Sequence, residues 1–451
     1  MKSKQVSRRK FLASTSAGAA GAMLTPTLPV FGASSASAAQ LAVLGGTPVR
    51  TARWTRWPVW DPAAEKPMME LLRSGNWYRG DGNKVNEFEQ AYAELIEAKR
   101  VVATASGSAA LIAALQVMGV DAGDEVIVSP YTFIASYNVI FDKHALPVFA
   151  DTDQETFLIN PKKIEEKITE RTTALLPVHI FGLPADMNSI NAIAKKHDLA
   201  VIEDACQAWL AEYDGKKCGT LADLGCFSFQ NSKHIPSGEG GAVSSNKEDL
   251  MDRVKAYHDC GRPSGPSMRG MGSNPVRGSN RRLTEVQAGL LLSQMVRALA
   301  DADKRLENAL YLDSRLKEVP GIIPYKLADG ATRSSYHLYP FRYKKEFFDG
   351  LSRKKFMAAL QAEGIPCYPG YGKQYHDGLI EEAISSRGYK RLFSEQRLKR
   401  YREELHQLPD NDQLTEEAVA IFQYVLLAEK SDMDDVVNAI QKIYKNRKQL
   451  L

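Results

Sequence analysis

Short apolar runs alternate with helix-sized stretches from Val101 onward, and this alternation is the main structural signal in the chain. Helical spacing of apolar positions occupies gaps such as 109–118 and 187–197. Strands separated by helices pair in parallel, since a helical crossover returns the chain to the starting edge. The pattern therefore predicts an α/β fold with a mostly parallel central sheet, its strands at 101–104, 125–129, 146–150, 174–179, 199–203, 226–229 and 241–244.

The alternation stops after residue 283, where a long helix is predicted. Thr284 and Gln287 form a capping-box pattern ahead of an apolar stretch that reaches 299, and charged helical sequence continues to 319. Beyond this helix, the pattern predicts an α+β region with a strand at 336–343 and helices at 353–363 and 433–445. Two further expectations are a helix opened by Pro161 and a mobile or partner-contacting loop at 261–278.

These elements divide the chain into three parts. Residues 1–38 form a targeting segment, residues 39–299 an N-terminal arm with a large domain, and residues 300–451 a small C-terminal domain. The large domain contains the whole predicted parallel sheet, so we expect the functional loops there.

The net charge of +4 arises from the first 38 residues, which contain five basic and no acidic side chains. The remaining chain has 53 basic and 54 acidic residues, so no excess of positive charge is left for binding phosphate backbones. We therefore expect no nucleic-acid partner.

The first 38 residues have the three-part order of a twin-arginine signal peptide. Arg8 and Arg9 precede a weakly apolar stretch at 13–31, and Ala36-Ser37-Ala38 is typical of a cleavage site. A basic terminus that carries two arginines by chance is the alternative. No run of about 18 apolar residues is present, so no stable membrane span is expected. The pattern predicts recognition by the Tat export machinery and a periplasmic or exported protein.

Five cysteines occur, without the paired spacing of a zinc site. Since the number is odd, at least one cysteine is unpaired within the chain. We expect neither a metal site nor a disulfide framework.

Three loops that follow predicted strands carry candidate chemistry. Ser106-Gly107-Ser108 lies between a strand and an Ala-rich helix, where free N–H groups can bind a phosphate; an ordinary capped turn is the alternative. Asp204 ends a buried strand, and such a carboxylate needs a cationic partner. A protonated pyridine nitrogen would serve, although a helix cap or a salt bridge explains this acid equally well.

Lys233 is the strongest candidate for covalent chemistry. It follows the strand at 226–229 and precedes Gly238-Glu239-Gly240-Gly241, a turn in which the backbone can approach a planar ligand closely. A Schiff-base lysine suits this context, whereas a solvated loop lysine is the alternative.

The chain resembles the DegT/DnrJ/StrS family of sugar aminotransferases, which are pyridoxal 5'-phosphate enzymes of fold type I. The resemblance extends from about Gly45 to the C-terminus, and it is closest to 3-amino-5-hydroxybenzoate synthases and cyclitol aminotransferases. It implies a large domain with a mostly parallel sheet and a smaller α+β domain. Seven motifs carry it in family order, at 106–111, 123–128, 131–135, 177–179, 203–208, 227–241 and 278–283.

The resemblance also implies roles for individual residues. Lys233 would hold the cofactor as a Schiff base, Asp204 would pair with its pyridine nitrogen, and Gln207 would contact its ring hydroxyl. The phosphate would lie against Gly107, Ser108 and Ser228. Phe133 would stack on the ring, Asn280 would reach the cofactor phosphate of the neighbouring subunit, and Arg282 would lie near the substrate in an obligate homodimer with shared active sites.

The implied activity is transfer of an amino group from an amino acid donor to a keto-sugar or cyclitol ketone. A dehydratase or aromatising synthase is the nearest alternative, but family dehydratases carry histidine where Lys233 stands. An exported binding protein that retains the fold without turnover is the second alternative. Three features depart from the family pattern: Ser108 replaces threonine, Cys206 replaces alanine, and a signal segment precedes an enzyme whose usual substrates are cytoplasmic.

Replacing Arg8 and Arg9 together with lysine should leave the precursor in the cytoplasm, because the twin-arginine pair is the feature that the export machinery reads. Fractionation followed by immunoblotting measures the distribution. A periplasmic fraction equal to that of the wild type would refute this route.

Overall fold

A seven-stranded sheet forms the centre of the molecule in a computed structural model that describes residues 39–451. The predicted signal segment lies outside the described residues. Six strands run in one direction and the seventh, Gly241–Ser245, lies antiparallel between Arg100–Thr104 and Leu224–Ser228, which confirms the mostly parallel sheet. The order is β1-β9-β8-β5-β4-β2-β3, with β1 Arg100–Thr104, β2 Glu125–Val128, β3 Leu146–Phe149, β4 Thr172–Leu176, β5 Ala200–Asp204, β8 Leu224–Ser228 and β9 Gly241–Ser245.

Helices cover this sheet because its strands are buried along nearly their whole length. The helix that follows β1 is itself buried on almost every side, and its many alanines allow it to lie close to β8 and β9. The helices of this region are α1 Glu65–Ser74, α2 Lys84–Ile96, α3 Gly107–Val117, α4 Ala135–Asp142, α5 Met187–His197 and α6 Glu248–His258.

A single helix of 32 residues, α7 Glu285–Leu316, connects the two regions. Thr284 and Gln287 form the predicted capping box at its N-terminus, with the Thr284 Oγ1 accepting the Gln287 N–H at 3.3 Å. The helix continues without a break through residue 299, so the domain boundary placed there falls inside one rigid element.

The C-terminal region is α+β, as expected. A four-stranded antiparallel sheet, whose edge strand β10 Ile322–Pro324 contacts α7, has the order β10-β12-β14-β13, and a small sheet in the order β11-β6-β7 joins the two regions. These strands are β6 Glu212–Tyr213, β7 Lys216–Lys217, β10 Ile322–Pro324, β11 Ala331–Arg333, β12 Leu338–Tyr343, β13 Cys367–Tyr368 and β14 Ala418–Phe422. The helices are α8 Arg353–Ala362, α9 Gly378–Ser385, α10 Arg387–Leu392, α11 Glu395–Glu404, α12 Pro409–Glu417 and α13 Lys430–Asn446.

The helix predicted at Pro161 is wrong in extent. Pro161 opens only a 3₁₀ turn, Pro161–Lys163, which is capped by the Asn160 side chain and followed by a second short turn. Ile164, which joins the two turns, is fully buried, whereas neither turn itself contains a buried side chain. Too little apolar surface is therefore available to stabilise a longer helix.

The loop predicted at 261–278 has one 3₁₀ turn, Pro266–Met268, and its side chains are mostly exposed in the described chain. Within residues 39–451, no helix is long and apolar enough to cross a membrane, and no group of side chains has the composition of a metal site.

Glu285 joins α7 to α2 through a buried carboxylate. Its Oε2 accepts the Lys84 N–H at 2.5 Å and its Oε1 accepts the Val85 N–H at 3.1 Å, so two unsatisfied donors at the start of α2 are capped from another helix. Glu285 is fully buried.

Glu285→Gln should therefore lower the free energy of unfolding by about 2 kcal/mol, since an amide replaces a carboxylate that accepts two buried N–H groups. Urea unfolding followed by circular dichroism measures the change. Glu318→Gln, at an exposed position just beyond the same helix, serves as the control and should leave stability unchanged. Equal stability of the two variants would contradict the prediction.

Candidate active site

A cavity of about 770 Å³ opens at the carboxyl ends of β5 and β8, beside the N-terminus of α3. Ligands of α/β proteins bind at this edge of the sheet, because the loops that follow parallel strands converge there. Seven of the eight predicted cofactor residues are in the same cavity wall: Gly107, Ser108, Phe133, Asp204, Gln207, Ser228 and Lys233.

The start of α3 forms an anion cradle. Ser106 caps the helix by accepting the Ala109 N–H, and no described residue accepts the N–H groups of Gly107 and Ser108. A side chain at Gly107 would approach the Ser228 Cβ to 2.8 Å and the Cys206 Sγ to 3.0 Å, so glycine is required for this close packing. Free N–H groups beside the Ser228 hydroxyl suit a phosphate.

Asp204 lies at the end of β5 and is only 4% exposed. Its Oδ2 accepts the Ser136 hydroxyl at 2.7 Å, and its Oδ1 accepts the Cys206 N–H at 3.2 Å. Thr132 in turn donates to Ser136, because the single Ser136 proton is already committed to Asp204. None of the described residues forms an ion pair with Asp204, so this buried carboxylate has a place for an external cation.

The neighbouring Glu203 faces the opposite side of the strand and has a different role. Its carboxylate accepts backbone N–H groups of the turn at 219–222 at 2.7 to 2.9 Å and contacts the His179 Nε2 at 3.0 Å. The His179 Nδ1 already accepts the Ala185 N–H, so the ring donates from Nε2. Glu203 therefore holds the turn while Asp204 faces the cavity, because successive side chains of a strand point to opposite faces.

Lys233 follows β8 and is half-buried in the cavity wall. Burial lowers the pKa of its ammonium group, although Cys206 and Asp204 nearby act to raise it. In the part of the chain that the structure describes, no side chain or carbonyl forms a hydrogen bond with its Nζ. A lysine with a lowered pKa and no partner is suited to act as a nucleophile and base.

Gln207 is held by two contacts at the cavity wall. Its Oε1 accepts the Phe181 N–H at 2.9 Å, and its Nε2 donates to the Tyr371 hydroxyl at 2.8 Å. Phe133 also lines the cavity and is 55% exposed, so its ring face is available for stacking on a ligand.

Asn280 and Arg282 do not line the cavity of their own chain. Asn280 is exposed, and the Arg282 guanidinium binds the Asp259 carboxylate at 2.5 Å while lying 5.3 Å from the Tyr78 ring centroid. Their predicted contacts with cofactor and substrate therefore require another copy of the chain, and these roles stay predictions.

Several residues of the cavity were not identified from the sequence. Ser136 fixes Asp204, and its position four residues after Thr132 on an incipient helix was the available signal. No local pattern marks the others, because they come from distant segments that only the fold brings together. They include Trp57, His337, Tyr371 and Gln423.

The described residues fit a pyridine cofactor that carries a phosphate. The fit rests on an unpaired buried carboxylate, an unpaired lysine and free N–H groups in one cavity. Together with the fold, this arrangement defines the class of pyridoxal-phosphate-dependent aminotransferases of fold type I.

Comparison with known proteins identifies the family. Residues 61–419 match the DegT/DnrJ/EryC1/StrS aminotransferase family, and the chain belongs to it. It is 34% identical over 402 residues to an L-glutamine:2-deoxy-scyllo-inosose aminotransferase of Micromonospora echinospora, covering 86% of this chain and 94% of that protein. An enzyme with the same name from Streptomyces fradiae is 34% identical over 399 residues, covering 85% and 93%.

A solved structure shows the same architecture. The crystal structure of 3-amino-5-hydroxybenzoic acid synthase aligns with a TM-score of 0.77 and 29% identity, over 89% of this chain and all of that chain. The chain is therefore an aminotransferase, and the predicted fold class is confirmed.

The two adjacent acids provide a matched pair for testing the site. Glu203→Gln should lower the free energy of unfolding by about 3 kcal/mol, because a buried acceptor of three backbone N–H groups loses its charge. Asp204→Asn should leave stability within about 1 kcal/mol of the wild type but largely abolish transamination.

Urea unfolding and a transamination assay on both variants measure these effects. If Asp204→Asn retained near-wild-type turnover, Asp204 would have only a structural role.

Proposed function

We propose that the protein transfers the amino group of an α-amino acid to a ketone on a cyclitol or an unactivated sugar ring. The observation that carries this proposal is the presence of Lys233 and Asp204, each without an ion pair among the described residues, in one cavity whose remaining wall is nearly uncharged. The named activities of the relatives from Micromonospora and Streptomyces support a cyclitol as acceptor and L-glutamine as donor.

The charge of the cavity wall supports an acceptor without a nucleotide. Asp204, Lys233 and Glu239 are its only formally charged side chains within the described chain, and no arginine lines it. Diphosphate groups are usually bound by arginine and lysine, so this wall alone favours a neutral polyol. Aromatic side chains form much of the remaining wall, and the ring centroids of Phe422 and Tyr424 are stacked 5.6 Å apart. Such rings can pack against the apolar face of a cyclitol.

Pyridoxal 5'-phosphate, when bound, supplies the conjugated electron sink that makes the proton on the amino-bearing carbon removable. Gly107, Ser108 and Ser228 would hold its phosphate, Asp204 its ring nitrogen, Gln207 its ring hydroxyl, and Phe133 its face.

Lys233 has two tasks in this proposal. It attaches the cofactor through its Nζ, and it then moves the proton between the donor carbon and the cofactor. The lowered pKa favours the neutral amine that both tasks need. Ser136 keeps the Asp204 carboxylate aligned throughout, while Thr132 fixes Ser136.

We further propose a homodimer with shared active sites. The outer face of α1 and α7 exposes Met69, Leu72, Val296 and Leu299, with Val296 81% exposed. An apolar groove of about 270 Å³ lies beside them. Exposed apolar surface of this kind is typical of a subunit interface. It is continuous with the start of α7, which follows Asn280 and Arg282 along the chain, so a second copy on this face would bring those residues towards its cavity.

Export through the twin-arginine route remains part of the proposal. It is supported by the arginine pair, the apolar stretch and the Ala36-Ser37-Ala38 cleavage pattern. This route carries folded proteins, which suits an enzyme that must bind its cofactor before export.

The purified protein should aminate 2-deoxy-scyllo-inosose with L-glutamine and should show no amination of nucleotide-linked keto-sugars. A panel of donors and ketones, with products measured by mass spectrometry, tests this specificity. Lys233→Ala is the control and should show no turnover, since it lacks both the attachment point and the base.

Borohydride reduction and peptide mapping of the wild-type protein should locate a pyridoxyl group on Lys233. A label on another lysine, or amination by Lys233→Ala, would contradict the assignment. Preference for a nucleotide-linked sugar would refute the substrate class.

Mixing Lys233→Ala subunits with Asn280→Ala subunits should restore activity, because one site of each heterodimer then combines an intact Lys233 with an intact Asn280. Each variant is first assayed alone to establish that both are strongly impaired. Subunit exchange is verified with differently tagged chains. Absence of recovery after exchange would mean that Asn280 serves its own chain.

A further inference from the structure

A buried arginine without a counter-ion lies behind the cavity wall. Arg305, in the middle of α7, is 0% exposed, and its Nε donates to the Gln423 Oε1 at 2.8 Å. Neither terminal nitrogen of its guanidinium has a hydrogen-bond partner among the described residues. Burial lowers its pKa to about 9, and the nearby Arg297 acts in the same direction.

Asp301 offsets this charge only at a distance: it acts to raise the pKa of Arg305, against the lowering by burial, without contacting the guanidinium. Asp301 contacts the Arg297 NH2 at 3.2 Å, one turn away along α7, and forms no ion pair with Arg305. Both guanidinium groups lie 5.2 Å from the Trp57 ring centroid, but only that of Arg297 forms an ion pair with Asp301. A buried, uncompensated cation is costly, so Arg305 indicates an anion that the described chain does not supply.

The charge of Arg305 acts on the cavity through its wall. Trp57 and Gln423, which contact Arg305, both line the cavity, as does His337. His337 responds to the charges of both Lys233 and Arg305, and together with burial these hold its pKa well below the ordinary value. His337 is therefore a neutral ring that both positive charges influence, although Arg305 itself does not line the cavity.

Gln423 is the direct link between Arg305 and the cavity. Its Oε1 is occupied by Arg305, and one of its two amide protons is directed to the Ser232 carbonyl at 3.3 Å. The other amide proton has no partner in the described structure. Since Arg305 polarises this amide and fixes its orientation, the free N–H is a suitable donor to an anion.

We propose that Arg305 is a positioning residue that makes the Trp57–His337–Gln423 part of the cavity the binding site for the carboxylate of the amino donor. The inference rests on the proposed aminotransferase function and specifies how it selects its donor. An α-amino acid carries its carboxylate on the carbon whose proton Lys233 moves. The carboxylate must therefore lie close to Lys233, and Gln423, bonded to the backbone of the adjacent Ser232, lies in that part of the wall.

The test measures donor binding by the holoenzyme in the first half-reaction, followed by stopped-flow absorbance without any ketone present. Arg305→Met should raise the dissociation constant for L-glutamine about tenfold and leave the limiting rate within about threefold of the wild type. Arg305→Lys, which keeps the charge, should restore binding to within about threefold. L-Glutamine methyl ester, which lacks the carboxylate, should bind Arg305→Met as it binds the wild type.

Arg297→Met is the matched control. The Arg297 guanidinium lies over the same Trp57 ring, but its charge is already compensated by the ion pair with Asp301. This variant should leave L-glutamine binding unchanged. Gln423→Leu, which removes the link, should weaken L-glutamine binding in the same direction as Arg305→Met and serves if the latter does not fold.

A second readout does not depend on turnover. Glutaramate, the glutamine analogue without an α-amino group, should raise the melting temperature of the wild-type holoenzyme but not that of Arg305→Met. These donor measurements stand even if no ketone is aminated, so failure of the proposed acceptor class and failure of this inference are distinguishable.

Three results would overturn the inference. One is equal weakening of L-glutamine and its methyl ester in Arg305→Met, and another is an equal effect of Arg297→Met. The third is unchanged L-glutamine binding in Arg305→Met. If that variant also dissociated the dimer, the anion that pairs with Arg305 would belong to the partner subunit.

Discussion

A buried carboxylate without a cation is the constraint on which the site depends. Asp204 ends β5 inside the molecule, where an isolated charge is costly, yet the described chain offers it only the Ser136 hydroxyl and the Cys206 N–H. Glu203, on the other face of the same strand, accepts three backbone N–H groups of the turn at 219–222 and contacts His179. The strand end is therefore rigid, and Asp204 remains available to a ligand.

Three charged side chains without ion pairs in the described structure lie in or behind the cavity wall, where they can select a charged ligand. Asp204 and Lys233 lie in its wall, and Arg305 lies behind it, each without an ion pair in the described residues. Other buried charges in the described chain have ion-pair partners, as in the contacts of Arg50 with Asp432 and of Glu125 with Arg397, or accept backbone N–H groups, as Glu285 does. An aminotransferase must bind a zwitterionic donor and a neutral ketone in turn, and fixed charges beside an aromatic wall provide for both.

The position of α7 connects the site to the proposed dimer. Its N-terminus is fixed by the capping box and by the contact of Glu285 with α2, its middle carries Arg305, and its outer face is apolar. Because the helix is continuous from Glu285 to Leu316, the proposed interface and the residue behind the cavity wall lie on one element. The sequence predicts helical residues on both sides of position 299, and the structure joins them into this one helix.

The sequence by itself determined the strand order along the chain, the mostly parallel sheet and seven residues that line the cavity. These were predictable because short buried strands leave near-continuous apolar runs, and because Gly107, Asp204 and Lys233 stand at strand ends within local motifs. Tertiary structure alone decided that Glu203 anchors the turn at 219–222, that β9 is antiparallel, and that Pro161 opens only a turn. It also brought Trp57, His337 and Gln423 into one cavity wall and placed Arg305 behind that wall. These residues are far apart in the sequence, and their charges and contacts acquire meaning only when packing excludes water around them.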